Sequence, residues 1–381
     1  MAAVAPQIRI QPVTTAAERE RFLDVPARVY RDDPNWVPPL RSTIAKEIAP
    51  ERPSDDDSER QFFVALVAAE PNAEAIGRVG VAIDRRLIER EERSVGLVGY
   101  FECVPEFAVA DALLSAACDW LRERGMELAR GPIDLSTHIR CLQLVDGFEQ
   151  PFVMMPYNPP YYAEFWERAG WMQAIDAYSY RFGSDSMSRE MFARAYRVAI
   201  TSGVTFRPLR LRGKEFEEDV NALYDLFTRA FANNWSSAPR TREDFMEEAR
   251  SLQSLVDPDI FPIAECDGQM VGFFMALPDY NQALKHVDGR LNLWGLLKFL
   301  WFRRQIDRVR VLVLCSLPEY RRKMVPLALI YLAFIGGTRE NKGYQTAELG
   351  FVFANNSPSR RLIEAAGGTI SKTYRAYEKP L

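Results

Sequence analysis

Glu348 lies in residues 346–352 (TAELGFV), whose apolar alternation predicts a β-strand. A carboxylate in such a run is a candidate proton acceptor; the alternative is an acid on the strand's polar face, paired with a neighbouring arginine. Glu102, in residues 99–103 (GYFEC), is the corresponding acid of the first half and reads equally as a hydrogen-bonding group at a strand end. Asp134 and His138 fall in the long stretch 131–156, and long ordered loops tend to carry function. A histidine there can serve as a base near neutral pH, or be an ordinary surface residue. Tyr374 and Tyr377 on the last predicted strand, with Tyr331 on a helix, are candidate proton donors or core residues whose hydroxyls find partners. Arg321, Arg322 and Lys323 directly precede a helix predicted from about Pro326. The first N–H groups of a helix and its dipole attract phosphate; the plain alternative is a solvated turn.

The elements that must position these residues come in two similar series. In the second half, VTFRPLRL (204–211) reads as a strand and 216–232 and 241–254 as helices. FPIAEC and MVGFFMAL are strands joined by the turn signal Asp267-Gly268. VRVLVLC, from Val309, reads as a fully apolar buried strand. A helix over 326–340 follows, then the strand holding Glu348, then a helix begun by Asn356-Ser357-Pro358 and stopped by glycine, then a tyrosine-rich strand. The first half repeats the order with IRIQPV, two helices, FFVALVAA, IGRVGVAI, VGLVGYFEC, a helix over 109–123, and the unit Asn158-Pro159-Pro160, EFWERAG, Tyr178-Ser179-Tyr180. Both halves read β-α-α-β-β-β-α-β-α-β. The expected organisation is a first domain over 1–183, a linker helix over 184–202 and a second domain over 203–381. Only the second half carries LNLWGLLKFLWFRRQIDR (291–308). That stretch is too short to span a bilayer and suits an interfacial helix, a lid over a lipid groove, or a seal between domains.

Composition narrows the function classes. The net charge is −4, with basic residues not gathered into an arm, which argues against a nucleic-acid partner. Five scattered cysteines without a CxxC argue against a disulfide framework or zinc site and for a reducing compartment. With two histidines, a multi-histidine metal centre is excluded and no metal is expected. The first residues show no basic segment followed by an apolar run, so a cytoplasmic location is expected, with peripheral contact to the inner membrane if 291–308 is interfacial.

The element order is that of the GNAT superfamily of acyl-CoA N-acyltransferases. RVYRDDPNWVPPL (from Arg28), GYFEC, RGP (130–132), VMMPYNPPYY (153–162), PDYNQAL (from Pro278), PEYRR (318–322), AELGFVFANN (347–356) and KTYRAYEK (372–379) sharpen the likeness. Over nearly its whole length the chain resembles a family of tandem GNAT-like proteins of Gram-negative bacteria. Some of its members make ceramide by attaching a fatty acyl chain to a sphingoid-base amine. The resemblance implies an α/β protein of two tandem GNAT folds, each a mixed, mostly antiparallel sheet flanked by helices. It implies acyl-CoA as co-substrate, lying where two parallel strands part, against Cys315, Ser316, Leu317, the loop Arg321-Arg322-Lys323-Met324-Val325, and Asn356. Asn356 also reads as a helix cap, and Cys315 as a small apolar residue. In the family pattern Gln/Arg-x-x-Gly-x-Gly/Ala, both small residues are replaced here, by Met324 and Pro326. The matching place in the first half, 104–107, is neither glycine-rich nor basic, so one donor site, in the second half, is expected. The catalytic candidates are then Glu348, His138, Asp134, Glu102 and Tyr374. A long-chain acyl-CoA and a lipid amine are the expected partners. Transfer to a small amine or amino acid, and an inactive pair acting as a binding protein, remain alternatives.

Overall fold

The computed structural model describes residues 8–50, 58–67, 74–183, 189–231, 235–339 and 342–381. The chain opens with β1 (Ile8–Pro12), α1 (Ala16–Val29) and α2 (Arg41–Glu47), with α1 started by a Thr15–Glu18 capping box. Next come β2 (Ser58–Val67), β3 (Ala75–Asp84), α3 (Arg85–Glu91), β4 (Val95–Cys103), α4 (Phe107–Arg122) and β5 (Leu128–Gly131). The long loop is structured: it forms β6 (Ile133–Asp134), β7 (Arg140–Cys141) and β8 (Gln143–Asp146) before α5 (Tyr162–Arg168) and β9 (Met172–Gly183).

Of the expected linker, 189–201 form α6 (Arg189–Thr201), packed along the later helix Val325–Gly337, while 184–188 lie outside the described residues. The second half continues with β10 (Thr205–Pro208), α7 (Gly213–Phe231), α8 (Arg242–Leu252), β11 (Pro262–Cys266) and β12 (Gln269–Pro278). The greasy insertion contributes α9 (Asn281–Leu284) and α10 (Leu293–Phe302) ahead of β13 (Arg308–Ser316). Then follow α11 (Pro318–Arg321), α12 (Val325–Gly337), β14 (Thr346–Phe353), α13 (Ser357–Ala365) and β15 (Thr369–Pro380).

All strands except the β6–β7 hairpin join one continuous sheet in the order β1-β2-β3-β4-β5-β15-β9-β14-β13-β12-β11-β10, with β8 against β15. The halves exchange their last strands. β15 pairs with β5 of the first half, β9 pairs with β14 of the second, and the two exchanged strands pair with each other in the middle. The halves therefore share a ladder rather than merely abutting.

Each half contains one parallel pair that parts after a few residues. β4 and β5 pair only at Val95↔Leu128, Gly96↔Ala129 and Leu97↔Arg130. β13 and β14 pair from Arg308↔Thr346 to Val311↔Leu349, and diverge beyond. Both β4 and β13 shift register against their other neighbour just past this point, at Tyr100–Phe101 and at Leu312. Such bulges bend a strand away from its partner. The fold thus builds two wedges of similar shape.

Candidate active site

The second-half wedge is held open at its apex by a cation. Arg310 was expected to belong to a fully apolar strand, yet it is buried there with Arg308 two residues away on the same face. Its guanidinium donates to the carbonyls of Val153 (2.9 Å) and Gly350 (3.3 Å), and Gly350 is the first β14 residue beyond the parallel pairing. Burial pulls Arg310 down to about 10, which leaves it charged at neutral pH.

Glu348 stands directly across from Arg310 in the register and is fully buried. Its Oε2 accepts from Lys372 Nζ at 2.5 Å, from Arg181 at 3.2 Å and from Ser371 Oγ at 3.3 Å. Arg181 and Lys372 also pair with Glu149. Among the described residues the remaining oxygen, Oε1, has no hydrogen-bond partner, and neither do the Tyr374 hydroxyl, Ser179 Oγ, Arg181 Nε and Arg310 Nε nearby. Tyr374 is itself completely buried, beside Glu348 and Arg310, and burial raises its hydroxyl well above the ordinary tyrosine value. Native proteins leave few buried polar atoms unpaired. Their concentration on one side of the wedge marks a place suited to a polar ligand or water.

A first-half loop roofs this cluster. Phe152 lies against Lys372, Arg308 and Arg181, Val153 N donates to Asp279 at 2.8 Å, and Asn281 donates to Pro151 O. Asp279 is buried, ion-paired to Arg308 at 2.7 Å, and raised to about 6 by desolvation.

At the wedge's open end the acyl-CoA loop candidates fall together. Cys315 and Ser316 end β13 in pairing with Phe273 and Gly272, and Leu317 N donates to Val271 O. Burial raises the Cys315 thiol to about 12, so it is no nucleophile. Arg321 and Arg322 are exposed and, among the described residues, form no ion pair, while Lys323 lies over the Tyr320 ring. Met324, the residue before α12, adopts φ +60°, the left-handed region where glycine costs least. Its side chain is 41% exposed, so it does not plug the gap. Val325 opens α12 with no side-chain cap. Asn356 caps α13 through Ser359 N.

On the helical face of the same wedge runs an apolar groove of about 850 Å³, including its open mouth. Val309, Val311, Ala347, Leu349, Ile330 and Leu362 line it, and among the described residues no charged side chain does.

The first-half wedge is filled by its own chain. A Cβ at Gly99 would come within 2.2 Å of the Ile133 carbonyl oxygen, so β4 and β6 meet at a separation only glycine allows. Asp134 accepts from the bulged amide of Tyr100 at 2.5 Å and from Arg140 at 2.7 Å, which occupies both carboxylate oxygens. Trp166, Tyr162 and Phe165 of α5 pack with α4 where the second half has its groove. Glu102 accepts hydroxyls from Tyr30 (2.8 Å) and Tyr162 (2.7 Å), and desolvation pushes it up to about 7. His138 Nε2–H donates to Ala238 O of the second half at 2.9 Å, and burial lowers its pKa, which favours the neutral ring.

Sequence reasoning missed Arg181, Ser179, Arg310 and Lys372. Their signal was parity: on a strand, residues two apart share a face, so Arg308 with Arg310 form a charged face within an apolar run.

The chain is 30% identical over 383 residues to the bacterial ceramide synthase of Caulobacter vibrioides (strain NA1000 / CB15N), covering 98% of each chain. The chain belongs to that family. It is also 27% identical over 366 residues to protein YghO of Escherichia coli (strain K12), covering 94% of this chain and 92% of that one. No family model matches the chain. Among solved structures, a tandem GNAT protein from the clavulanic acid biosynthesis pathway superposes with a TM-score of 0.58 at 11% identity, covering 98% of both chains. A GCN5-related N-acetyltransferase from Sphaerobacter thermophilus gives 0.52 at 14% identity, over 98% of this chain and 95% of that one. The ceramide-synthase family member described here is thus a GNAT-type N-acyltransferase with an α/β fold and a mixed sheet. Among the described residues no helix is long and apolar enough to cross a membrane, and no cluster of ligands suits a metal.

Proposed function

We propose that this enzyme transfers a long-chain fatty acyl group from CoA to the amine of a sphingoid base, in the second-half wedge. The observation that carries the reading is the apolar groove between α12 and α13, lined by no charged side chain among the described residues, which borders the parted strands. Each methylene removed from water is worth ~0.8 kcal/mol, so ten would supply roughly 8 kcal/mol, which an acetyl group cannot draw on. Likeness to a bacterial ceramide synthase supports the same substrate class.

In this reading the CoA diphosphate meets Arg321, Arg322 and the first N–H groups of α12, while Lys323 adds charge. The pantetheine lies between β13 beyond Val311 and β14 beyond Leu349. The acceptor amine enters under the 148–155 loop. An ammonium cannot attack a thioester, so one proton passes to Glu348 Oε1, the unpartnered oxygen. The amine then forms the C–N bond as the C–S bond breaks. The second amine proton reaches the leaving thiolate through the Tyr374 hydroxyl. Lys372, Arg181 and Arg310 fix Glu348 and the wedge apex. His138 holds the first-half loop to Ala238 and shapes the acceptor side.

The test is thiol release against acyl length, from acetyl-CoA to palmitoyl-CoA, with sphinganine present. Long-chain donors should be preferred by at least ~100-fold in kcat/KM. Equal use of acetyl-CoA, or no amide product, would refute the assignment.

A further inference from the structure

Exposed large apolar side chains are scattered over the described surface except at one place. Leu291, Leu293, Trp294, Leu296, Leu297, Leu300 and Trp301 are all exposed, Leu293 at 73%, Trp294 at 74% and Trp301 at 64%. They surround α10, whose start is capped by Asn292 through Gly295 N.

The helix is amphipathic in an unusual sense. Its inward face is Gly295, Phe299 and Phe302, spaced four and three apart, and these dock on the preceding segment. Phe299 packs near Tyr280, and Phe302 stacks on His286 at 3.7 Å. The opposite face, which a soluble helix fills with polar groups, is leucine and tryptophan. The helix therefore does not seal the halves together; its apolar surface points outward.

Cations frame that surface. Arg290, Lys298, Arg303 and Arg304 are exposed, and no acid occurs between Asp288 and Asp307. Interfacial helices combine such an aromatic and leucine face with basic residues, each worth about 1 kcal/mol at an anionic surface. A symmetric pairing with a second copy would instead press these like charges against their own equivalents. The helix is about 15 Å long, which suits lying in a headgroup layer and not crossing it.

We propose that α10 seats the protein on an anionic lipid bilayer, with its Leu–Trp face in the interface and Lys298, Arg303 and Arg304 against lipid phosphates. This stands apart from the acyl-transfer reading, since none of these residues lines the wedge. It also sets an orientation. Asp307, which closes the insertion, accepts the backbone N–H groups of Gln345 and Thr346, two residues lining the apolar groove. The C-terminal end of the insertion therefore lies beside the closed end of the groove.

Flotation with vesicles of phosphatidylcholine alone, and of phosphatidylcholine mixed with phosphatidylglycerol, tests the proposal. The wild-type protein should float with the mixed vesicles, and W294E/W301E should partition at least ~tenfold less. R303E/R304E should lose the preference for phosphatidylglycerol. Far-UV circular dichroism and Tm should be unchanged in both, because the substituted side chains are exposed. The proposal is overturned if the wild type floats with neither vesicle, or if W294E/W301E floats as well as the wild type. It is equally overturned if W294E/W301E turns a wild-type dimer into a monomer without weakening flotation.

Discussion

The two wedges begin alike and finish differently. β4/β5 and β13/β14 each part after three or four paired residues, beside a bulged strand. In the first half Ile133 and Asp134 occupy the opening, and Asp134 takes up the bulged amide of Tyr100. In the second half the chain passes from Phe353 almost directly into α13. The same first-half insertion that closes one wedge sends residues 148–155 across to roof the other. One repeated framework thus supplies a filled wedge and an open one. The acids differ in their surroundings: Glu102 is raised to about 7 by desolvation and tied to two tyrosines with Arg78 nearby, whereas Glu348 sits among cations.

The comparison can be broken most forcefully at Lys372. Lys372→Met removes the shortest contact to a fully buried carboxylate and should cost about 3–5 kcal/mol in urea unfolding. A loss under ~1 kcal/mol would mean that the site is solvated and exposed charges screen one another.

Next in size is activity. Glu348→Gln should lower kcat/KM for acyl transfer by ~100-fold or more, and Glu102→Gln should leave it within about a factor of three. The reverse ranking would move the chemistry into the first half. Gly99→Val forces a side chain into the β4–β6 contact and should destabilise by about 1–3 kcal/mol, read from Tm. Ala347→Phe gives the second-half groove an aromatic filling like that of the first, and should raise KM for palmitoyl-CoA by roughly tenfold while sparing acetyl-CoA.

A pH dependence marks the first-half acid. Glu102 rises from 4.5 to about 7 on folding, so the native state holds a proton that the unfolded chain releases between those values. Its contribution to stability is complete below about 4.5 and is lost as the pH climbs through about 7. Glu102→Gln should flatten that decline in Tm measured from pH 5 to 8.

Much of this was legible in the sequence. Proline-started, glycine-stopped helices and alternating strands marked the repeated order, because local periodicity encodes secondary structure. The strand exchange was not legible, since β9 and β15 carry the same tyrosine-rich alternation and periodicity says nothing about which neighbour a strand chooses. Glu348 stood out as an acid in an apolar run. Its partner Lys372 did not, because in KTYRAYEK it reads as one more outward charge, and only the exchange with β9 buries it. Met324 was legible as a departure from the glycine pattern, but its tolerance of a left-handed backbone and its outward side chain depend on the turn itself.

Calorimetric titration with CoA tests the central claim most directly, that the donor enters the second half alone. One site per chain is predicted, lost in R321E/R322E and retained in Glu102→Gln. Two sites, or binding that survives R321E/R322E unchanged, would contradict it.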